Sequence, residues 1–299
     1  MSQFVPGSVR FGIVTNLWNN DDLPRSADTI PYRQVLSEVA LAGYDGCSLG
    51  GNFPKDTAVL REDLTSRGLT ISEPWVGTYF TCSGMRQRTI DDFLAQLAVL
   101  RELGGTDIVV AELGHAVHLK PIALAANRVV FDDRQWQALL SGMDELGTLA
   151  TDAGVRLCYH HHMGTGVQNR ADVDRLMAGT DPAKVHLLLD TGHATWAGDD
   201  PVALIRDHIT RIGHVHLKSV RRDVLNAHRD ASFLDAVQAG AFTIPGDGCV
   251  DFPAILSTLA DAGYTGWLVV EAEEGPGPAI DPYTTAARAR RYLRKLTSL

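Results

Sequence analysis

The stretch Val155-Arg156-Leu157-Cys158-Tyr159 is a short, mostly apolar run that ends in the three consecutive histidines His160, His161 and His162. An apolar run of this length is typical of a buried strand that is covered on both faces. Two later runs end in a similar way, in Asp190-Thr191-Gly192-His193 and in His214-Val215-His216-Leu217-Lys218. Apolar strands that end in His or Asp, where Ala or Val would be expected in a purely apolar core, indicate that the carboxyl ends of these strands meet at one polar site.

Strand-like runs of this kind recur along the chain and alternate with amphipathic segments. In one of these segments Phe93, Leu97 and Leu100 recur at the spacing of a single helix face. A glycine follows several of the segments, as expected where a helix stops before the next strand. The predicted strands span residues 11–15, 46–49, 69–72, 107–111, 155–159, 185–189, 212–217 and 267–270.

About eight strand–helix units predict an α/β fold, a single (β/α)8 TIM barrel over residues 1–299. Residues 36–46 and 256–266 form an internal repeat, since each segment contains a helix end, an Ala-Gly-Tyr turn and a strand start. A doubly wound open sheet would produce the same repeat, so the repeat does not prove that the sheet closes into a barrel. The longer insertions, residues 115–133 and 221–251, both follow strands, and we expect them to cover the active face of the barrel.

Composition and charge exclude several classes of protein. The 299 residues are 45% hydrophobic and 21% charged, an ordinary globular composition. The formal net charge of −9 argues against a nucleic-acid partner, because phosphate binding needs a basic surface. No apolar stretch of about 18 residues predicts a membrane span, and no secretory signal is visible. The four cysteines form no C-x-x-C motif, so we expect no cysteine zinc site and a cytoplasmic location.

Ligand-type residues end the last four predicted strands, and in a barrel the carboxyl ends of the strands face one pocket. The predicted metal ligands are His160, Asp190, His216 and Glu271. Mixed nitrogen and oxygen ligation suits Mn²⁺, Co²⁺, Fe²⁺ or Zn²⁺, and Mg²⁺ stays open. Strand alternation directs His160 and His162 to the same side and His161 to the other. A register slipped by one residue would instead make His161 the ligand.

Further polar and aromatic residues follow the strands and are candidates for catalysis or substrate binding. Glu112 directly follows a buried run and is expected either to enter the pocket or to form a structural ion pair. The catalytic candidates are His162, Glu112, His193 and Lys218. The candidates for substrate binding are Asn16, Trp18, Glu73, Trp75 and Glu273. The tryptophans are included because an aromatic ring at a barrel mouth often packs on a sugar-like ring; the alternative is that they belong to the core.

These motifs together resemble the sugar isomerase and epimerase barrels related to xylose isomerase and endonuclease IV, and within them the inosose dehydratase family. The resemblance covers nearly the full chain, in residues 18–24, 50–56, 159–165, 187–193, 214–218, 233–237, 245–248 and 266–273. It implies a divalent metal, Mn²⁺ or Co²⁺, and a cyclic polyol ketone as substrate. It also implies assistance by glutathione, for which the sequence shows no signature. The family often has a glutamate at Ser48 and an aspartate at Ser219, and residues 115–130 are unlike the family.

The resemblance and the residues together predict a metal-assisted loss of water from 2-keto-myo-inositol, in inositol catabolism. His162 or Glu112 would remove the α-proton, and His193 or Lys218 would help the β-hydroxyl leave. An isomerase or epimerase would begin with the same proton abstraction. A non-catalytic sugar-binding barrel with a structural metal and an endonuclease IV-like nuclease are further alternatives, the nuclease being disfavoured by the acidic charge. A homo-oligomer is compatible with the sequence, which does not determine the number of subunits.

Overall fold

The structure, a computed structural model, describes residues 4–20, 29–273 and 281–299. Residues 21–24, which belong to one of the segments that carry the family resemblance, lie outside this range. The strands are β1 Val9–Ile13, β2 Gly46–Cys47, β3 Thr70–Ile71, β4 Trp75–Thr78, β5 Asp107–Glu112, β6 Arg156–His160, β7 Val185–Asp190, β8 Ile212–Leu217, β9 Ser219–Val220, β10 Phe242–Thr243 and β11 Gly266–Val270.

Helices connect the strands. They are α1 Tyr32–Ala42, α2 Thr57–Thr65, α3 Arg86–Glu102, α4 Asp133–Asp152, α5 Arg170–Gly179, α6 Thr191–Ala197, α7 Pro201–His208, α8 Arg222–Ala227, α9 Phe233–Gln238, α10 Phe252–Asp261 and α11 Pro282–Thr297, with short 3-10 turns at Thr15–Leu17 and Ala125–Asn127. Helix α1 illustrates the packing, since its apolar face, Val35, Leu36 and Val39, is fully buried. Among the helices in the described ranges, none combines the length and the apolar character that a membrane crossing requires.

Nine parallel strands form one sheet, in the order β3-β2-β1-β11-β8-β7-β6-β5-β4. The two strands at its edges, β3 and β4, are consecutive in the chain. Strand β3 pairs with β2, whereas β4 pairs with β5. Between them Leu49 N donates to Glu73 O and Val109 N donates to Pro74 O. Residues 70–78 therefore act as one interrupted strand that joins both edges, and the sheet closes as the predicted eight-stranded TIM barrel.

The sequence pattern located the first half of this interrupted strand and missed the second. The polar residues Ser72 and Glu73 and then Pro74 end the apolar run before β4 begins. Proline donates no backbone hydrogen bond, and it typically marks an irregularity in a strand. A glycine in the preceding strand shows how tightly the barrel closes here. A Cβ atom at Gly46 would lie 2.3 Å from Thr70 O, inside the contact distance of any side chain.

The two long insertions lie over the carboxyl ends of the strands and pack against each other, as expected. Leu124 N, in the first insertion, donates to Ala231 O in the second. A separate apolar cluster joins Val117 and Leu124 of the first insertion to Phe233 and Phe242 of the second, with Met163 between them. The antiparallel pair β9 and β10 anchors the second insertion to the end of β8. The insertions therefore form a packed cover above the barrel.

Candidate active site

The four predicted ligand residues lie together at the carboxyl end of the barrel. His160 and Asp190 end strands β6 and β7, His216 lies near the end of β8, and Glu271 directly follows β11. The parallel register pairs Asp190 with His216, which places these side chains at the same level. His160 Nε2 is 3.5 Å from Asp190 Oδ2, and His216 Nδ1 is 2.9 Å from Glu271 Oε2. One ligand atom from each residue lies within 4.8 Å of all the others.

The chemistry of this cluster fits a divalent cation. Two buried carboxylates and two imidazoles offer mixed oxygen and nitrogen donors to one point. Burial opposes ionisation of Asp190, but Lys218 and His193 outweigh it and hold the pKa of Asp190 well below its usual range. Two smaller groups adjoin the cluster in the described part of the chain, Glu73 with His214 and His216, and His162 with His193 and Glu273. The four-residue group offers the most donors.

Glu73 orients His216 within the cluster. His216 Nε2 donates to Glu73 Oε1 at 3.3 Å, which leaves Nδ1 facing Asp190 and Glu271. The other oxygen of Glu73 lies 3.1 Å from His214 Nε2. Burial raises the pKa of Glu73, but the two imidazoles outweigh it and lower the pKa to about 2. Glu73 was expected to bind substrate, yet both its oxygens face imidazoles, an arrangement that fixes the orientation of a metal-binding histidine.

The three consecutive histidines point in alternating directions, as the strand pattern predicts. His160 and His162 line the cavity above the cluster. His161 points away from it, and its Nε2 accepts a hydrogen bond from Asp190 N at 3.1 Å. Burial lowers the pKa of His161 to about 3, so its neutral ring keeps the lone pair that this bond requires. The structure therefore shows the register that directs His160, and not His161, to the cluster.

His162 lines the cavity and has one unprotonated ring nitrogen. Its Nδ1 lies 2.8 Å from Met163 O, and because a carbonyl only accepts, Nδ1 carries the proton. Burial lowers the pKa of His162 well below its ordinary value, which keeps the ring neutral. The unprotonated atom is then Nε2. The ring packs against His193 with the centroids 3.9 Å apart and the ring planes inclined by 43°, which fixes its orientation.

His193 and Lys218 form a buried layer behind the cavity wall, and neither side chain is exposed. His193 Nδ1 accepts from Met163 N, and Lys218 Nζ lies 2.7 Å from Glu273 and 2.8 Å from Glu271. Burial opposes the charge on Lys218, but Asp190, Glu271 and Glu273 outweigh it and raise its pKa. One of the two, His193 or Lys218, was expected to help the β-hydroxyl leave. Neither lines the cavity, and both contact it through neighbouring side chains.

Glu112 is held away from the cavity, contrary to the expectation that it enters the pocket as a base. Its carboxylate accepts hydrogen bonds from Thr78 Oγ1, Phe80 N, Thr81 N, Thr81 Oγ1 and Gly114 N, at 2.8 to 3.2 Å. These donors occupy both oxygens, and the side chain is fully buried. Glu112 therefore ties the loops that follow β4 and β5 together. The alternative of a structural ion pair is also wrong, because its partners are neutral.

The two tryptophans differ in position. Trp18 belongs to the apolar core, its Nε1 donates to Glu38 Oε2 at 2.6 Å, and it does not line the cavity, as the alternative of a core residue predicts. Trp75 lies at the mouth of the cavity and is 46% exposed. Two further expected substrate-binding residues, Asn16 and Glu273, line the cavity, and Asn16 Nδ2 donates to Glu271 Oε1 at 3.3 Å.

The cavity has a volume of about 160 Å³ and is lined largely by residues at or just after strand ends. Ser48, one of the departures from the family, lines it, whereas Ser219 is buried outside it and contacts the second insertion. Sequence reasoning missed His118, which also lines the cavity. His118 lies in the first insertion, and the prediction that this insertion covers the active face was the available signal.

Comparisons with known proteins agree with this architecture. A family model described as xylose isomerase-like TIM barrel matches residues 36–296. A solved L-ribulose 3-epimerase superposes with a TM-score of 0.75 at 19% identity, over 97% of this chain and 95% of the epimerase chain. The structure of a probable 3-DHS dehydratase from Bacillus anthracis superposes with a TM-score of 0.73 at 14% identity, over 95% of this chain and 98% of that chain. At these identities the likeness concerns the fold alone.

Two relatives match the whole chain at higher identity. The inosose dehydratase of Geobacillus thermodenitrificans is 43% identical, over 99% of this chain and 100% of the relative. Inosose dehydratase 1 of Bacillus cereus is 39% identical, with the same coverage. The chain therefore belongs to the xylose isomerase-like TIM barrel family and, within it, to the family of the inosose dehydratases.

Proposed function

We propose that this protein is a hydro-lyase that removes water from 2-keto-myo-inositol, an inosose, or from a closely related cyclic polyol ketone in inositol catabolism. Full-length relatives named inosose dehydratase, at 39% and 43% identity, support this substrate class. The observation that carries the proposal is the neutral His162, directed into the cavity beside the cluster of His160, Asp190, His216 and Glu271. A base beside a group of cation ligands is the arrangement that removal of a proton next to a ketone requires.

His162 acts as the general base. The lone pair on its Nε2 takes the proton from the carbon next to the ketone, and the electron pair of that C–H bond becomes the new C=C bond. The imidazole is neutral before the step because burial lowers its pKa. The hydrogen bond from Nδ1 to Met163 O stabilises the positive charge that the ring gains. A positioned general base of this kind contributes about 10²–10⁴ in rate.

A divalent metal ion, Mn²⁺ or Co²⁺ as first candidates, would be held by the four-residue cluster and would supply Lewis-acid stabilisation of the charge that develops on the ketone oxygen. Glu73 keeps His216 Nδ1 directed at the cluster, and Lys218 keeps two of its carboxylates in place. These contacts fix the donors before substrate binds, so little reorganisation is needed during the reaction.

The departing hydroxyl needs a proton in the second half of the reaction. His162 holds the proton it has just taken, and it lines the cavity, whereas His193 and Lys218 are buried behind the wall. We assign the transfer to His162, which returns the proton as the C–O bond breaks, so that hydroxide leaves as water and the imidazole is neutral again. His193 packs against the His162 ring and keeps it in position for both transfers.

The test is turnover of 2-keto-myo-inositol by the purified protein, with Mn²⁺, with Co²⁺ and after chelation. The expected product is lighter than the substrate by one water, and the chelated protein should lose activity. A product of unchanged mass that has incorporated solvent deuterium would identify an isomerase or epimerase. Full turnover by metal-free protein would remove the cluster from the mechanism. Binding without deuterium exchange would identify a non-catalytic sugar-binding protein.

A further inference from the structure

His118 enters the cavity from the first insertion, which is held against the loop that follows β6. Val117 N donates to Gly164 O at 2.8 Å. Gly164 has a φ of 80°, a conformation that favours glycine. A Cβ atom at this position would lie 2.9 Å from His118 N and 3.0 Å from His118 Cβ. The glycine therefore allows the insertion to approach closely, and this approach fixes the backbone of His118 beside the proposed base.

The ring of His118 is packed but has an unsatisfied polar atom. It is 6% exposed and lines the cavity. It contacts His162 edge-on, with centroids 5.1 Å apart, and lies 6.2 Å from the Phe233 ring. Its Nδ1 is fully buried and has no hydrogen-bond partner among the described residues. Buried polar atoms are nearly always paired, and leaving one unpaired costs about 1–3 kcal/mol.

A neutral imidazole suits a hydroxyl group as its partner. Burial lowers the pKa of His118 to about 4, so at neutral pH the ring has one N–H donor and one lone pair. A hydroxyl both donates and accepts, so it can pair with a protonated or an unprotonated ring nitrogen. A charged ligand group gains less from an uncharged ring that is enclosed by Phe233 and His162. The position therefore favours a polyol over an acidic sugar or a sugar phosphate.

We propose that His118 is a specificity-determining residue that hydrogen-bonds one hydroxyl group of the cyclic polyol ketone bound in the cavity. The inference rests on the proposed function and adds to it a recognition contact supplied by the insertion. A pocket built to hydrogen-bond a hydroxyl discriminates against an analogue that lacks it, because the polar group of the protein is left unpaired. For one contact of this kind the discrimination is about 10- to 100-fold in kcat/KM.

The experiment compares the wild-type protein with His118→Phe, which keeps an aromatic ring and removes both nitrogens. Both are assayed with 2-keto-myo-inositol and with a panel of analogues that each lack one ring hydroxyl. We expect His118→Phe to lower kcat/KM by about 10- to 100-fold, mainly through KM. One analogue should be a poor substrate for the wild type and yet lose nothing further in the variant.

Two control variants make the result specific. His118→Gln retains a donor and an acceptor and should recover part of the lost kcat/KM, and it replaces His118→Phe as the test variant if that protein does not fold. His115→Asn changes a histidine of the same insertion that contacts Thr81 and Cys82 and does not line the cavity. Asparagine tolerates the φ of 66° at this position, so kcat/KM should be unchanged.

The outcomes separate this inference from the proposed function. If the wild type removes water from 2-keto-myo-inositol and His118→Phe keeps the same kcat/KM and the same ranking of analogues, the role of His118 is wrong and the proposed function stands. If the wild type forms no product lighter by one water, both are overturned. A loss in kcat alone, with the ranking of analogues unchanged, would also overturn a role in recognition.

Discussion

The two halves of the barrel use their strand-end residues in different ways. In the second half, strands β6, β7, β8 and β11 direct His160, Asp190, His216 and Glu271 to one point. In the first half, Glu112 and Trp18 turn to partners in their own surroundings. A polar residue at a strand end is therefore kept from the common pocket when nearby partners occupy all of its polar atoms.

The local backbone explains this difference. After β4 the chain turns so that the N–H groups of Phe80 and Thr81 point at the Glu112 carboxylate and hold it. Asp190 also satisfies a backbone group, since its Oδ1 accepts from His193 N at the start of α6. Its other oxygen remains directed at His160 and His216. One carboxylate can therefore cap a helix and still serve the site, whereas Glu112 has both oxygens occupied.

The largest expected effect tests the role of His162 in the second half of the barrel. Substitution His162→Gln removes the proposed base from the cavity wall and should lower kcat by about 10²–10⁴, with KM changed only a few-fold. Exchange of the substrate α-proton with solvent should fall in parallel, because the same residue removes that proton. Steady-state kinetics and deuterium incorporation measure the two effects.

A histidine far from the site provides the matched control for this substitution. His186 lies on β7, whose opposite end contains Asp190, and it does not line the cavity. His186→Gln should leave kcat within a few-fold of the wild type. Equal losses in the two variants, or an unchanged kcat in His162→Gln, would contradict the assignment of the base.

The second prediction tests the first half of the barrel. Glu112→Gln replaces one acceptor oxygen by an amide nitrogen and leaves at least one buried donor facing another donor. The free energy of unfolding should fall by about 2–3 kcal/mol, while kcat and KM stay within a few-fold of the wild type. Urea denaturation followed by circular dichroism measures the shift in midpoint. A large loss of kcat in a variant of normal stability would contradict this structural role and support a catalytic role for Glu112.

The sequence predicted the barrel, the four-residue cluster and the alternation of the histidines because all three depend on periodicity. The period of two along β6 decides which histidines share a side, and the parallel order decides which strand ends meet. These features can be predicted without knowing the conformation of the loops. The predicted strand ends at residues 159, 189, 217 and 270 are within one residue of the observed ends of β6, β7, β8 and β11.

The parts that the sequence did not predict depend on how irregular segments pack. The five donors around Glu112 come from the end of β4 and from the loops that follow β4 and β5, and the position of Trp18 depends on Glu38, which is 20 residues away. His118 reaches the cavity only because the insertion docks on Gly164. No local spacing encodes these contacts. They follow from tertiary packing, which decides which of several polar partners a side chain meets.

The third prediction concerns the proton that His216, in the second half of the barrel, would release when a metal ion binds. Burial alone would lower the pKa of His216, but Glu271, Asp190 and Glu73 outweigh it and raise the pKa well above its ordinary value. The metal-free ring is then protonated at neutral pH, and a metal ion must displace the proton on Nδ1. Affinity for Mn²⁺ should therefore fall as pH falls, by about tenfold per pH unit for one proton released.

Calorimetric titration with Mn²⁺ in buffers of different ionisation enthalpy counts the protons released. Glu73→Gln is the matched variant, because removing this carboxylate removes one of the groups that raise the His216 pKa. It should release fewer protons at neutral pH and show a shallower dependence of affinity on pH. An affinity for Mn²⁺ that does not change with pH in the wild type would contradict a protonated His216.

The smallest expected effect distinguishes the two tryptophans, which the sequence placed together at the mouth. Trp18→Phe removes the hydrogen bond from Nε1 to Glu38 and should lower the free energy of unfolding by about 1 kcal/mol, with kcat/KM unchanged. Trp75→Phe changes a ring that is 46% exposed at the cavity mouth, so stability should be unchanged and KM should rise. Urea midpoints and steady-state kinetics on both variants show whether each tryptophan stabilises the core or contributes to the cavity mouth. If Trp18→Phe raises KM as much as Trp75→Phe does, the assignment of Trp18 to the core alone is wrong, because the core tryptophan then shapes the cavity through α1.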